Sequence, residues 1–249
     1  MFAYAKTLAS DVLDTNGDAF LAWQTEDQNY MVLMVADSVG SKKGMPNTGT
    51  IVCDIVLDFL KKGFESDPDI TIPEIGRILD SAFFAASRTV RTLNAIDPRY
   101  QELYASLACV VVAQSSKQMV YRSIGNVEIR IWNNRGFPRL NRLFTEAAED
   151  VENGKTREQD YYTQPNRNIL TSAFGQMDRI RTDSTGGTFQ EGNLMFIATD
   201  GFYDFLLPND IIATAAKEND AVKTVDALIE KIKENENRDN ATLMCIISN

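Results

Sequence analysis

YMVLMVAD, residues 30–37, is an apolar run closed by a carboxylate. A run of this kind reads as a buried β-strand. Three more aspartates stand at the edges of such runs. Asp18 opens DAFLAW, Asp200 closes NLMFIATD just ahead of Gly201, and Asp239 sits with Asn240 before ATLMCIIS. An ionised group leaving water must be paired or must bind a cation. If these strand ends meet, the carboxylates repel one another, and a multivalent ion relieves the repulsion. A ligand set made only of oxygen points to a hard cation such as Mg²⁺ or Mn²⁺.

Around these runs, strands are expected at 3–10, 18–25, 30–37, 106–114, 117–125, 127–132, 179–189, 192–199 and 241–248. The pair 117–125 and 127–132 is broken at Gly125-Asn126, and a turn follows at Asn134-Arg135-Gly136. Helical spacing predicts a first helix over 47–62, with Ile51, Val52, Ile55, Phe59 and Leu60 on one face and Gly63 as its stop. A second helix is expected over 73–93, with Pro73 in its first turn and a stripe of Ile75, Ile78, Leu79, Ala82, Phe83, Ala86 and Val90. Two more are expected over 208–217 and 221–235. Strands and helices are segregated rather than alternating, which implies α+β layers of packed sheets covered by helices. The polar stretch 144–168 reads as a long mobile loop with some helix, of a length that is often functional.

The chain has 249 residues, 44% of them hydrophobic, and a net charge of −10. That charge makes nucleic acid and anionic lipid poor partners. The sequence carries no basic-then-apolar leader and no apolar run of about 18 residues, so a cytoplasmic location is expected. Cys53, Cys109 and Cys245 lack CxxC spacing and read as buried, reduced thiols. Histidine is absent, which excludes Ser-His and Cys-His nucleophile pairs and a His-ligated zinc. Asp14, Asn16 and Asp18 imitate the start of an EF-hand loop, but Ala19 replaces its turn glycine and Thr25 its twelfth-position glutamate.

Several segments, in order, resemble the metal-dependent protein phosphatases of type 2C, a serine/threonine phosphatase family. They are Asn16-Gly17-Asp18-Ala19-Phe20, Val35-Ala36-Asp37-Ser38-Val39-Gly40, Ile124-Gly125-Asn126, Leu170-Thr171-Ser172-Ala173-Phe174-Gly175, Asp200-Gly201-Phe202-Tyr203-Asp204 and Asp239-Asn240-Ala241-Thr242. The resemblance spans nearly the whole chain. It implies one domain over 1–249, a four-layer αββα sandwich of two mainly antiparallel sheets flanked by helices, with a flap-like insertion near 144–168. It also implies a two-metal site, Mg²⁺ or Mn²⁺, at one edge. Carried over by position, Asp37 would bridge both ions, Asp200 and Asp239 would hold one, the Ser38 carbonyl would contact the other, and Asp18 would bind the ions' waters. The implied activity is hydrolysis of phosphoserine and phosphothreonine on proteins by a hydroxide bridging the ions, in signalling opposite a cognate serine/threonine kinase. Two cations about 3.5–4 Å apart suit that chemistry.

Four positions depart from the family pattern. Leu13 stands where an arginine grips the phosphate, Gly17 where a glutamate precedes the aspartate, and Ser38 where a glycine follows the bridging aspartate. Asn126 stands where a carboxylate helps hold a third metal, of which Asp204 keeps the other half. A third ion should therefore bind poorly. Loss of the arginine removes charge-assisted hydrogen bonds to phosphate, and Lys42 and Lys43 are the candidates to replace part of that grip. Two other readings stand beside the enzyme: a pseudophosphatase acting as a regulatory binding module, and an unrelated α+β binding domain whose acids are only turns.

Overall fold

The computed structural model describes residues 1–40, 44–45, 47–97, 102–133, 136–176, 179–218, 220–234 and 237–248. In chain order the elements are β1 Phe2–Leu8, β2 Ala19–Gln24, β3 Tyr30–Val39, α1 Thr48–Ser66, α2 Ile72–Ile96, β4 Tyr104–Ala113, β5 Gln118–Ile124 and β6 Glu128–Trp132. There follow α3 Glu146–Glu152, a 3₁₀ helix Glu158–Thr163, β7 Asp183–Thr188, β8 Leu194–Ala198, α4 Asp200–Tyr203, α5 Pro208–Glu218, α6 Ala221–Lys233 and β9 Ala241–Ile247. The strands form two antiparallel sheets, one ordered β1-β9-β8-β6 and the other β2-β3-β4-β5-β7.

Three apolar cores separate four layers, and side-chain alternation along each strand divides its residues between two of them. On β3, Met31, Leu33 and Val35 enter the core between the sheets, while Val32, Met34 and Ala36 meet α1 and α2. On β8, Met195 and Ile197 face between the sheets, and Leu194, Phe196 and Ala198 face the layer of α4, α5 and α6. Both faces of these strands are dry. That is why their sequences read as unbroken apolar runs rather than as alternation with polar residues. The expected α+β architecture of two sheets flanked by helices is the one observed.

The helices follow local rules. Asn47 caps α1 by accepting from Thr50 N at 3.0 Å. Thr71 and Glu74 form a capping box at the start of α2, with a proline in the first turn. The expected stop at Gly63 is corrected: α1 runs on to Ser66. Gly63 faces α2 instead, and a Cβ there would collide with Ile78 Cδ1. The glycine therefore lies inside α1 against α2 and does not end the helix. The strand expected over 179–189 is shorter, beginning at Asp183. The 144–168 segment holds α3, capped by Thr145, and the 3₁₀ helix. Among the described residues no helix is long and apolar enough to cross a membrane. All three cysteines are buried and free, and burial pushes the Cys53 thiol up to about 12.

Candidate active site

Both sheets deliver acids to one edge of the layer between them. Asp37 continues the inter-sheet face of Met31, Leu33 and Val35 toward the end of β3, where it pairs with Ser106 of β4. Asp18 directly precedes β2, Asp200 opens α4 just after β8, and Asp239 lies two residues before β9. Asp18 is buried, at 8% exposure, and the other three are partly buried.

A web of short hydrogen bonds fixes these strand ends. Thr199 Oγ1 donates to Asp18 Oδ2 at 2.9 Å and accepts from Thr242 N at 3.0 Å, tying three segments together. Asn240 Oδ1 accepts from Ser10 N, and Asn240 N donates to Asp239 Oδ1. Asn47 Nδ2 donates to the carbonyls of Asn16 and Gly17, each at 3.1 Å, so the cap of α1 also holds the loop that carries Asp18. Ser38 Oγ accepts from Gly49 N at 2.5 Å and donates to Asn47 Oδ1. A Cβ on Gly201 would collide with Asn240 O, so only glycine lets Asp200 come this close to Asp239.

The electrostatics follow from the crowding. Burial pushes the Asp18 carboxyl up to about 8, with the nearby charges of Asp200 and Asp239 adding to the shift. Asp37 is raised well above the ordinary carboxylate range by burial, then by the charges of Asp200, Asp18 and Asp239. Asp200 is raised to about 6 by burial and Asp239. Asp239 is raised as well, chiefly by burial. Asp18 Oδ1 is buried with no hydrogen-bond partner. These are carboxylates short of positive charge, and their donor chemistry fits hard divalent cations. Among the described residues, no three acidic, histidine or cysteine side chains converge tightly enough to hold an ion as they stand.

The remaining expected residues divide. Asp204 is ion-paired with Arg167, which comes from the end of the 144–168 segment. The Arg167 charge acts in turn on Asp200 and Asp239, lowering both. Asn126 Nδ2 donates to Asp200 Oδ2 at 2.8 Å, and Ser106 Oγ donates to Asn126 Oδ1 at 2.7 Å. Leu13 is half exposed. Lys42 and Lys43 lie outside the described residues.

Two features escaped the sequence reading. Arg167 is one, since its partner is 37 positions away in the chain and no local pattern announces it. The other is a buried polar group centred on β6. Glu128, 2% exposed, accepts from Arg130 Nε at 2.8 Å and from Tyr162 Oη at 2.8 Å. Arg130 also donates to the Phe137 carbonyl, and Arg139 stands 3.9 Å from Glu128. Tyr162 stacks on Tyr203 of α4, so this group braces the 3₁₀ helix against the floor of the acid site. Its one sequence signal is an acid and an arginine two apart in a strand, hence on one face.

This layering is shared with bacterial serine/threonine phosphatases. Stp1 of Staphylococcus aureus superposes with a TM-score of 0.83 at 22% identity, covering 98% of this chain and 93% of that one. The catalytic domain of the phosphatase PstP, solved with two manganese ions, superposes with a TM-score of 0.78 at 15% identity, covering 98% and 96%. The phosphatase PhpP of Streptococcus pneumoniae is 18% identical over 235 residues, 94% of this chain and 93% of its own. The family model for protein phosphatase 2C matches residues 13–244. The chain belongs to the protein phosphatase 2C family.

Proposed function

We propose that this protein is a Mg²⁺- or Mn²⁺-dependent phosphatase acting on phosphoserine and phosphothreonine in proteins, with 1–249 as one catalytic domain and 144–168 as its flap. The observation that carries this is the meeting of Asp18, Asp37, Asp200 and Asp239 from two sheets, with raised carboxyls and an orphaned Asp18 oxygen. Asp37, Asp200 and Asp239 are the residues to hold two cations, with the Ser38 carbonyl and Asp18 supporting them. PstP, a relative in fold, carries two manganese ions. Bound cations would supply positive charge for the phosphoryl oxygens and would acidify water at the site.

The rest is the work of the chain's own residues. Burial and mutual repulsion favour the protonated carboxyls of Asp18 and Asp37 in the metal-free chain, and a bound cation would relieve that repulsion. Asn126 holds the Asp200 carboxylate in place as a neutral donor. Arg167 is kept beside the acids by its ion pair with Asp204 and adds positive charge at this edge, acting on Asp200 and Asp239. The chain has no histidine, so proton transfer to the departing serine or threonine oxygen falls to carboxyl groups or water.

A Mn²⁺ titration with a phosphothreonine peptide tests the reading. Turnover that rises and saturates with Mn²⁺ supports it. Calorimetric Mn²⁺ binding without turnover would reassign the protein as a pseudophosphatase, and absence of both would remove the metal site.

A further inference from the structure

At the other end of α1 from the acid site lies a cavity of about 600 Å³, lined by Trp23, Tyr30 and Phe64 and edged by Glu26, Asp27, Glu65 and Asp67. Phe64 stacks between the other two rings, 5.9 Å from Trp23 and 5.0 Å from Tyr30. All three rings are partly exposed. Among the described residues none of the four carboxylates is in an ion pair, and Asp27 is held in place by Thr25 and Asn29. The negative field is felt locally. After burial, the charges of Asp27, Asp67, Asp69 and Glu74 raise the Tyr30 hydroxyl. The cavity also shows the ligand chemistry its aromatic wall accepts, because the ammonium of Lys61 lies over the Trp23 ring at 5.5 Å.

We propose that this cavity is a docking site for a lysine or arginine side chain on an extended basic segment of a partner protein. Aromatic faces attract such cations and surrounding carboxylates strengthen the attraction. Four carboxylates against one resident ammonium leave the site under-neutralised, and the exposed Lys61–Trp23 contact is weak enough, at roughly 0.5–1 kcal/mol, to be displaced. A peptide fits better than a compact cation because the cavity continues. An adjoining hollow of about 370 Å³ shares Tyr30 and Pro68 and is edged by Asp69, while a second of about 550 Å³ shares Asp67 and also carries Lys62 and Arg77, ion-paired with Asp58 and Glu74. β2 spans six residues from Ala19, next to Asp18, to Gln24 at the cavity. The two sites are therefore roughly 20 Å apart at about 3.3 Å per residue. A partner bound here by its basic segment leaves the acid site open.

Trp23 and Trp132 are the chain's two tryptophans. In a Trp132→Phe background, Trp23 emission reports the site directly. An unphosphorylated Gly-Ser peptide carrying several lysines should change that emission saturably. Acetylation of its lysines, or Glu65→Gln with Asp67→Asn in the protein, should each weaken binding by about tenfold, equivalent to roughly 1.4 kcal/mol. Free lysine amide should bind more weakly than the peptide. Turnover of p-nitrophenyl phosphate should be the same in the charge-neutral variant, whose folding is checked by circular dichroism. No saturable change, equal binding of the acetylated peptide, undiminished binding to the folded variant, or equal binding of lysine amide would each overturn the proposal. The probe carries no phosphate, so its failure is separate from any failure of the phosphatase reading.

Discussion

Two groups of buried charge lie on either side of α4, and they are built oppositely. Around Glu128, one carboxylate is met by Arg130, by the hydroxyl of Tyr162 and, at longer range, by Arg139. Around Asp37, four carboxylates crowd together, and Arg167, already engaged by Asp204, acts on two of them, Asp200 and Asp239. The first group is complete within the chain and serves the fold. The second is incomplete, and its deficit of positive charge is the property a phosphate-handling cation site requires. Burial alone does not mark a functional charge; burial without compensation does.

The comparison can be broken in four places. The largest effect is expected from Asp37→Asn. Removing the proposed central ligand should lower Mn²⁺-dependent turnover roughly a thousandfold, the rate equivalent of several kcal/mol of charge stabilisation, while leaving the fold intact. Turnover within tenfold of the parent would move the chemistry elsewhere. Glu128→Gln should do the reverse. It strands buried arginine charge and should cost about 3–5 kcal/mol of stability in urea unfolding. A loss below about 1 kcal/mol would show that the group is not the brace described here.

The third test is pH. Asp18 at about 8 and Asp200 at about 6 bind protons more tightly in the folded, metal-free chain than at the ordinary value of 3.8. Their protonated forms favour folding, so their contribution to stability is fully present below about pH 4 and is lost as pH rises through about 8. The melting temperature of chelator-treated protein should drop over pH 5–8, and saturating Mn²⁺ should flatten the profile. A metal-free profile that rises over this range would contradict the crowding of the acids. The smallest effect is expected from Asn126→Asp. It exchanges a donor to Asp200 for a fifth carboxylate, and should cost the metal-free protein about 1–3 kcal/mol while tightening Mn²⁺ binding. Unchanged melting with weaker Mn²⁺ binding would refute the role of Asn126 as a neutral spacer.

Much of this architecture was legible in the residues. Runs such as 30–37 and 192–199 announced strands dry on both faces, and the aspartates at their ends marked the edge where the sheets open. The caps at Asn47 and Thr71 lay beside the expected helix starts. What stayed hidden depends on tertiary approach. Gly63 looked like a helix stop because a glycine after an apolar stripe is the usual local signal, whereas it lies inside α1 facing Ile78 of α2. α4, at four residues, is too short to show periodicity. Arg167 is invisible to local patterns, and the Glu128 group shows only its acid–arginine spacing on β6, because the other partners lie on distant segments of the chain.

One pairing sets when the molecule becomes competent. β9 lies between β1 and β8, and Phe2 is opposite Ile247. Joining strands so far apart in sequence is an entropically slow closure. Asp239 is placed just ahead of β9. The acid cluster should thus be among the last regions to form, so that a partly folded chain still lacking β9 has not yet brought its four aspartates together.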